Sequence, residues 1–501
     1  LLSLFCILAA LVYALTWRPA QQEIAAVECR SQAPLLQPGQ ALKVMTWNIQ
    51  YLAGKNHVFW YDLEGGSGPD LRPSSADLAF TLDEVVRVVR DEQADIVLLQ
   101  ELHDGARASD YQDQLGLLQA RLRDLYPCST QAFYWKAGFV PHPKILGSVG
   151  MKLATLSRYQ IERAERLQLP QMPGNPISRL FNLKRALLVS YLPLRGGGEL
   201  AAINTHLDAF AQGDDTMQQQ VAMTGNLLDQ LQGRGTPWVL GGDFNLLPPG
   251  QYRHLPAEQR GWYAARSELQ QLAARYPMIP NTAQASGPGQ AAWYTHAPNS
   301  TGAPRADRTL DYLFHSPQLT LLDSQVRQHD SLGISDHLPV LVVERFDRRR
   351  HPSGAWIMRL PQEDFCQVLG VPSHLKYESD GGPGLVDLAG VLKGSIQGEN
   401  DLTTLLTTQL LFWMLAAPDG HAKNFSIRVL PQGRYELTPL YDVMSIWPVE
   451  GNGPNQFSMF KAKMAMAILG KNKHYLFKDI QRRHFNNMAA KYITKQVTKF
   501  I

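Results

Sequence analysis

An α/β fold, with sheets packed face to face and helices outside, is predicted for the first two-thirds of this chain, and a second, mainly α-helical domain after it. Three observations predict this. Apolar, strand-like runs recur from Lys43 to Val343 with only a few helical stretches between them. Polar side chains able to bind ions or move protons stand at the ends of those runs, where sheet-edge loops commonly hold functional sites. The texture then changes at Arg348-Arg349-Arg350-His351-Pro352-Ser353-Gly354, a basic, turn-like break. A chain of 501 residues exceeds one ordinary core, so two or three domains are expected.

Composition narrows the function classes. Hydrophobic content of 45% and charged content of 19% are those of a globular protein. The net charge of +3 divides unevenly: residues 1–350 hold 32 Lys+Arg against 33 Asp+Glu, and residues 351–501 hold 16 against 12. The first part therefore has no general basic field to attract a polyanion, which argues against a non-specific duplex DNA binder. The four cysteines, Cys6, Cys29, Cys128 and Cys366, show no zinc-site spacing. Cys29 and Cys128 fall in the first large domain and either pair, if that domain is exported, or are two unrelated thiols.

Taken in order, residues 1–17 are almost wholly apolar and are expected to be a signal anchor or the core of a signal peptide. Residues 18–42 are polar and Pro-containing, a linker. Strands are predicted at Lys43–Ile49, at the apolar run Asp95–Leu99, near Val149–Ser157, Ala186–Tyr191 and Leu200–His206, and at Trp238–Gly241, Leu310–Phe314 and Leu338–Val343. Helical spacing appears in Ala76–Arg90 through Leu78, Leu82, Val85, Val86 and Val89, and again in Tyr111–Leu125 and Thr216–Leu231. Beyond the break, Leu402–Ala416 and Phe477–Lys495 are predicted helices and Tyr435–Leu437 a strand. The aromatic runs Phe59-Trp60-Tyr61, Phe133-Tyr134-Trp135, Trp262-Tyr263 and Trp293-Tyr294 are assigned to packing, and Tyr134 is kept out of the site.

The strand ends carry Asn48, Glu101, Asn204, His206, Asp208, Asp243, Asn245, Asp311, Asp336 and His337. A carboxylate directly after an apolar strand is costly to bury unless its charge is compensated. A hard cation such as Mg2+ takes oxygen ligands and keeps some waters; Asn48, Glu101 and Asp336 supply such oxygens. An Asp elsewhere in the chain can orient an imidazole and hold it cationic against a phosphate. Singly, Asp243 is as well explained by a turn, Asn48 by an Asx-turn and His206 by a core position. It is the set, in this order, that points to chemistry.

From about Lys43 to Val343 these motifs (Thr46-Trp47-Asn48-Ile49, Leu98-Leu99-Gln100-Glu101, Asn204-Thr205-His206-Leu207-Asp208, Gly241-Gly242-Asp243-Phe244-Asn245, Leu310-Asp311-Tyr312 and Ser335-Asp336-His337-Leu338-Pro339) resemble the endonuclease/exonuclease/phosphatase superfamily. The resemblance implies a four-layered α/β sandwich and hydrolysis of a phosphoester by water. It implies that Glu101, with Asn48 and Asp336, holds Mg2+, with Mn2+ as the alternative ion. It further implies that Asp243 orients or deprotonates the water, that His206 and Asn245 contact phosphate, and that His337, oriented by Asp311, does so too. The implied substrate is a phospholipid headgroup or a nucleic acid. Gln50 departs from relatives that have a carboxylate or Asn there, so no second metal is assigned.

After the break, Pro418-Asp419-Gly420-His421-Ala422-Lys423-Asn424-Phe425 and Thr438-Pro439-Leu440-Tyr441-Asp442 have the order a kinase needs: a carboxylate near the acceptor, an Asn and a second Asp for Mg2+. With Glu344-Arg345-Phe346-Asp347-Arg348, Arg359-Leu360-Pro361-Gln362-Glu363-Asp364-Phe365 and Lys376-Tyr377-Glu378-Ser379-Asp380-Gly381-Gly382-Pro383-Gly384, they resemble the C-terminal lobe of HipA-type serine/threonine kinases of toxin–antitoxin systems. That implies Asp419 as base, Asn424 and Asp442 as metal ligands, and Glu344, Phe346 and Asp347 as a hinge touching the adenine of ATP. The space where an N-terminal lobe would lie is occupied by the first domain, so the expectation is a kinase fragment without activity. The alternatives are a toxin–antitoxin kinase and a non-catalytic module binding a nucleotide or an antitoxin-like partner. Location is divided: an anchor places the hydrolase at a membrane or outside the cell, whereas the HipA-like part belongs in the cytoplasm.

Overall fold

The computed structural model describes residues 12–30, 33–37, 40–62, 66–209, 213–299, 305–343, 348–350, 357–359, 361–451, 453 and 456–492. They fall into two compact units, Leu1–Arg345 and Phe346–Ile501. The adenine-hinge residues Glu344, Phe346 and Asp347 lie outside the described residues.

The first unit holds fourteen described strands in two sheets. In chain order they are β1 (Gln22–Ala25), β2 (Val27–Cys29), β3 (Lys43–Asn48), β4 (Ile96–His103), β5 (Cys128–Val140), β6 (Gly147–Ser157) and β7 (Arg163–Gln168). They continue with β8 (Ala186–Pro193), β9 (Glu199–His206), β10 (Trp238–Asp243), β11 (Met278–Ile279), β12 (Asp311–His315), β13 (Asp323–Val326) and β14 (Val340–Val343). One sheet runs β1-β7-β8-β9-β10-β12-β11, the other β13-β14-β3-β4-β6-β5-β2.

Period-two alternation explains why the sheets stack. Val44, Ile96, Leu98 and Val340 of one sheet and Leu200, Ala202, Val239 and Leu313 of the other form a single apolar cluster between them. Their neighbours face outward. Met45, Trp47, Val97 and Leu99 meet Leu78, Leu82, Val85 and Val89 of the helix Ser75–Glu92 and Leu115, Leu118 and Leu122 of the helix Gln114–Leu122. Ile203, Leu240, Tyr312 and Phe314 meet Met217, Val221, Leu228 and Leu231 of the helix Thr216–Gly233. The layers are helix, sheet, sheet, helix. The first of these helices starts where Ser74 accepts from the Asp77 amide, a side-chain cap for an otherwise orphan donor.

Several expectations need correction. The stretch 18–42, expected as a linker, contributes β1 to one sheet and β2 to the other. Both are short edge strands with little buried surface (Ile24 is 93% exposed), so no apolar alternation marks them. Cys29 and Cys128 sit directly opposite each other on β2 and β5 and form a disulfide. The predicted helix Tyr111–Leu125 begins only at Gln114, and the long strand β5 was not expected at all. Residues 1–11 of the expected anchor lie outside the described residues, and Thr16 makes a bridge to Ala137. No helix among the described residues is long and apolar enough to cross a membrane.

The second unit is less helical than predicted. It has the pair β15 (Arg348–Arg350) and β16 (Ile357–Arg359), and a three-stranded sheet of β17 (Gln362–Asp364), β18 (Ser426–Val429) and β19 (Tyr435–Leu437). A hairpin follows, β20 (Lys463–Leu469) with β21 (Lys473–Leu476). The predicted helix Phe477–Lys495 is a single 3-10 turn and then a helix over Arg482–Tyr492. Its core packs Leu402, Leu405, Leu406 and Phe412 of the helix Gly398–Met414 against Phe425, Met466, Ile468 and Phe485.

Candidate active site

The site of the first unit is laid out by strand register. β10 pairs in parallel with β9 and antiparallel with β12, and one row of that register is His206–Asp243–Asp311. Gly242 makes the row possible: a Cβ there would lie 2.0 Å from the Thr205 carbonyl oxygen. In the facing sheet, β3 and β4 run parallel and bring Asn48 level with Gln100. Gln100 Nε2 donates to Asn204 Oδ1 (2.7 Å), and Asn204 Nδ2 donates to the Leu99 and Ala154 carbonyls (2.9 and 2.8 Å). This buried amide pair stitches the two sheets together directly beneath the site.

Glu101 was expected just past a strand end. Instead β4 continues to His103, with a register break between Leu99 and Leu102, and Glu101 occupies the bulge at φ +61°. A bulge re-aims one side chain without ending the strand. Gln50 and Tyr51 (φ +45° and +41°) and Asn245 (φ +52°) are also left-handed. Such backbone costs on the order of 1–3 kcal/mol per residue and gathers at functional sites.

Four polar groups converge on Asp243, among them His206, whose Nε2 lies 3.3 Å from its Oδ2. Asn48 Nδ2 donates to its Oδ2 at 3.1 Å, and the Asn245 amide donates to Oδ1 at 2.9 Å. His337 Nε2 lies 3.5 Å from Oδ2, while His337 Nδ1 lies 2.8 Å from Asp311 Oδ2. Burial opposes charge on the His337 ring, but Asp311 and Asp243 outweigh it and hold the imidazole well above its ordinary value. His206 takes the opposite course: burial first, then Arg185 and His337, push it well below. Its Nε2 faces Asn245 Nδ2 (3.1 Å) and its Nδ1 the Tyr134 hydroxyl (3.2 Å). The two rings are thus pushed in opposite directions within one buried cluster.

Burial, then repulsion from Asp336, raises the Glu101 carboxyl above its ordinary value. Asp336 is placed through its own loop. Ser335 Oγ donates to the Asn48 carbonyl (2.8 Å), Gln50 Oε1 accepts from the Asp336 amide (3.3 Å), and Trp47 Nε1 donates to the His337 carbonyl (2.9 Å). Asn48, Glu101, His206, Asp243, Asn245, Asp311, Asp336 and His337 thus occupy one end of the sandwich. Tyr134, set aside in the sequence, sits among them, fully buried. His296 is there too, its ring edge-on to His337 at 4.8 Å. Neither carries a strand-end signal: Tyr134 is mid-strand in β5 and His296 follows an irregular loop.

In the second unit, Asn424 Nδ2 donates to the Asp419 carbonyl (2.7 Å) and Tyr377 Oη donates to Asp419 Oδ1 (2.6 Å). Lys423 is tied to Asp364 at 2.7 Å. Asp442 is exposed at φ +59°.

Comparison with known proteins divides the chain in the same way. Residues 45–337 match the Endonuclease/Exonuclease/phosphatase family, and residues 318–501 match the HipA-like C-terminal domain. A putative kinase, Y4mE of Sinorhizobium fredii, is 44% identical over 108 residues, 21% of this chain and 25% of that protein. The serine/threonine-protein kinase toxin HipA of Shewanella oneidensis is 31% identical over 142 residues, 26% of this chain and 30% of that protein. The chain thus spans about a quarter to a third of the length of these curated relatives. Among solved structures, an endonuclease/exonuclease/phosphatase from Beutenbergia cavernae aligns with TM-score 0.41 at 22% identity, over 61% of this chain and 71% of that one. The human Nocturnin catalytic domain aligns with TM-score 0.38 at 19% identity, over 64% and 96%.

Proposed function

The chain belongs to the Endonuclease/Exonuclease/phosphatase family, and on that premise we propose that its first unit is a Mg2+-dependent hydrolase that cleaves phosphoester bonds by in-line attack of water. The observation that carries this reading is the Asp311–His337–Asp243 relay beside Glu101: a buried imidazole bonded to one carboxylate and 3.5 Å from a second, next to the carboxylates of Glu101 and Asp336.

The donor set fits a hard divalent cation. Glu101 and Asp336 repel each other, and their oxygens, with that of Asn48, are the ligand type Mg2+ or Mn2+ takes. Bound there, the ion supplies Lewis acidity to a non-bridging phosphate oxygen. The protein's own groups do the rest. Asp243, fixed by Asn48 and the Asn245 amide, holds a water by its proton and takes that proton as the water attacks. His337 presents an N–H to charge growing on a phosphoryl oxygen, and Asp311 keeps its ring from turning. Asn245 and His206 hold a second oxygen.

The direct test is turnover of bis(p-nitrophenyl) phosphate with Mg2+. His337→Ala and Asp243→Asn are each expected to lower kcat by about 10²–10⁴-fold, and a chelator to abolish turnover. Unchanged turnover in His337→Ala rejects the site. For the physiological substrate the reading stays with a phospholipid headgroup or a nucleic acid, and the lack of a general excess of basic residues argues against a non-specific duplex nuclease. A panel of sphingomyelin, inositol phosphates, duplex and single-stranded DNA separates these.

The second unit is read as a kinase-like fragment without phosphoryl-transfer activity. Its candidate base is already engaged by the Tyr377 hydroxyl, and its Lys423 by Asp364. ATP-dependent autophosphorylation that is lost in Asp442→Asn rejects this.

A further inference from the structure

His296 has no part in the mechanism above, and its setting is unusual. The backbone on either side of it is pinned. The Thr295 and His296 amides both donate to the Arg308 carbonyl (2.9 and 3.0 Å), the His296 carbonyl accepts from Asp307 (3.0 Å), and the Ala297 amide donates to the Asp336 carbonyl (2.7 Å). The segment bridges Arg308 on one side and His337 on the other. The ring is thereby held against His337, and its Nδ1 is buried without a hydrogen-bond partner. A buried imidazole nitrogen left unpaired is costly unless something occupies it.

The donor atoms of His296, Asp336 and His337 all lie within 4.8 Å of one another. We propose that these three residues form a second cation site, which shares Asp336 and His337 with the hydrolase site and adds His296, that it takes Zn2+ rather than Mg2+, and that occupying it blocks hydrolysis. Two imidazoles and a carboxylate are the three-ligand set zinc favours, with a fourth position open to water. Mg2+ prefers oxygen ligands and keeps its waters, so it does not compete for nitrogen. His337 also has the outer partner a zinc-bound histidine normally has: its Nδ1 is hydrogen-bonded to Asp311, leaving Nε2 as the ligand atom. To share one ion the three donors must draw closer than 4.8 Å, and the Ala297–Asp336 backbone bond keeps the segments of His296 and Asp336 side by side for this. The block follows from the same atoms. A cation on His337 Nε2 displaces to solvent the proton that would face a phosphoryl oxygen, and it draws Asp336 away from Glu101.

The inhibitory part rests on the hydrolase reading; the binding part does not. The test uses the full chain dialysed against Zn2+ in large Mg2+ excess, with Mg2+-supported turnover measured in parallel. The wild type is expected to retain about one Zn2+ per chain and to lose turnover as the site fills. His296→Gln is expected to bind Zn2+ more than about 10-fold more weakly, and its inhibition to weaken by the same factor. Co2+ offers a second readout, since a four-coordinate site gives visible absorption that His296→Gln removes. If His296→Gln does not fold, Asp311→Asn serves: freeing the His337 ring is expected to cost about 10- to 100-fold in Zn2+ affinity. A wild type that retains no Zn2+ in Mg2+ excess overturns the site. So does a His296→Gln protein with unchanged Zn2+ affinity, which moves the ion to Asp243, Asp311 and His337. Zn2+ bound through His296 in a protein with no Mg2+-dependent turnover supports the site and rejects the hydrolase instead.

Discussion

His103 shows how single residues near the site are held. Its ring stacks on Tyr51 at 4.4 Å, and its Nδ1 meets Ser109 Oγ at 3.0 Å. Burial lowers its pKa to about 3, against about 6.5 in an unfolded chain. A depressed folded value means that this contribution to stability is complete above about pH 6.5 and is lost as pH falls from there toward 3. The slope is about 1.4 kcal/mol per pH unit. Denaturant melts between pH 7 and pH 5 are expected to show His103→Asn losing less stability on acidification than the wild type. An equal loss in both would place the effect elsewhere. Residues of this kind were partly legible in the sequence. Asp243, Asp311 and His337 were legible only as members of an ordered set at strand ends, since each alone has an ordinary structural explanation. Tyr134 and His296 stand outside that set, and an aromatic in a buried strand and a histidine in a loop both have ordinary explanations. Only three-dimensional proximity separates them from those.

At the scale of elements, the row His206–Asp243–Asp311 depends on how closely β9 and β10 approach. Gly242→Ala puts a methyl group against the Thr205 carbonyl and must push the two strands apart. It is expected to cost about 1–3 kcal/mol in unfolding free energy and to reduce turnover through the displaced Asp243. A variant with wild-type melting and wild-type kcat would show that the register tolerates the shift. The central strands were found from sequence because they are buried on both faces and continuously apolar. β1 and β2 were not, since an edge strand needs little burial to exist. β5 was missed because its partners, β6 and β2, supply its register, while its own sequence mixes Thr, Gln and Lys with aromatics. Helix ends were set by caps and turns that apolar spacing does not report.

At the scale of the whole molecule, the two family matches overlap over residues 318–337, and the structure assigns that stretch to the sandwich. Strand β13 lies inside it, and β14, which begins just beyond it, lies between β13 and β3. A chain ended after Arg345 is therefore expected to keep Mg2+-dependent turnover within about twofold of the full chain. A chain ended after Pro339 removes an interior strand and is expected to be insoluble or inactive. Equal loss of activity in both would mean that the hydrolase depends on the HipA-like unit.

β14 has one more consequence. It pairs antiparallel with β13 on one edge, from Val326↔Val340 to Asp323↔Val343, and with β3 on the other, from Thr46↔Val340 to Lys43↔Val343. The covalent path from the second unit into the first enters through Val343. Tension carried along the backbone from the C-terminal side, by an unfoldase threading from that end for instance, enters the first unit's fold at this strand. Two hydrogen-bonded ladders must then rupture together before the catalytic end is disturbed, so the strand joining the two units is also the mechanical fuse between them.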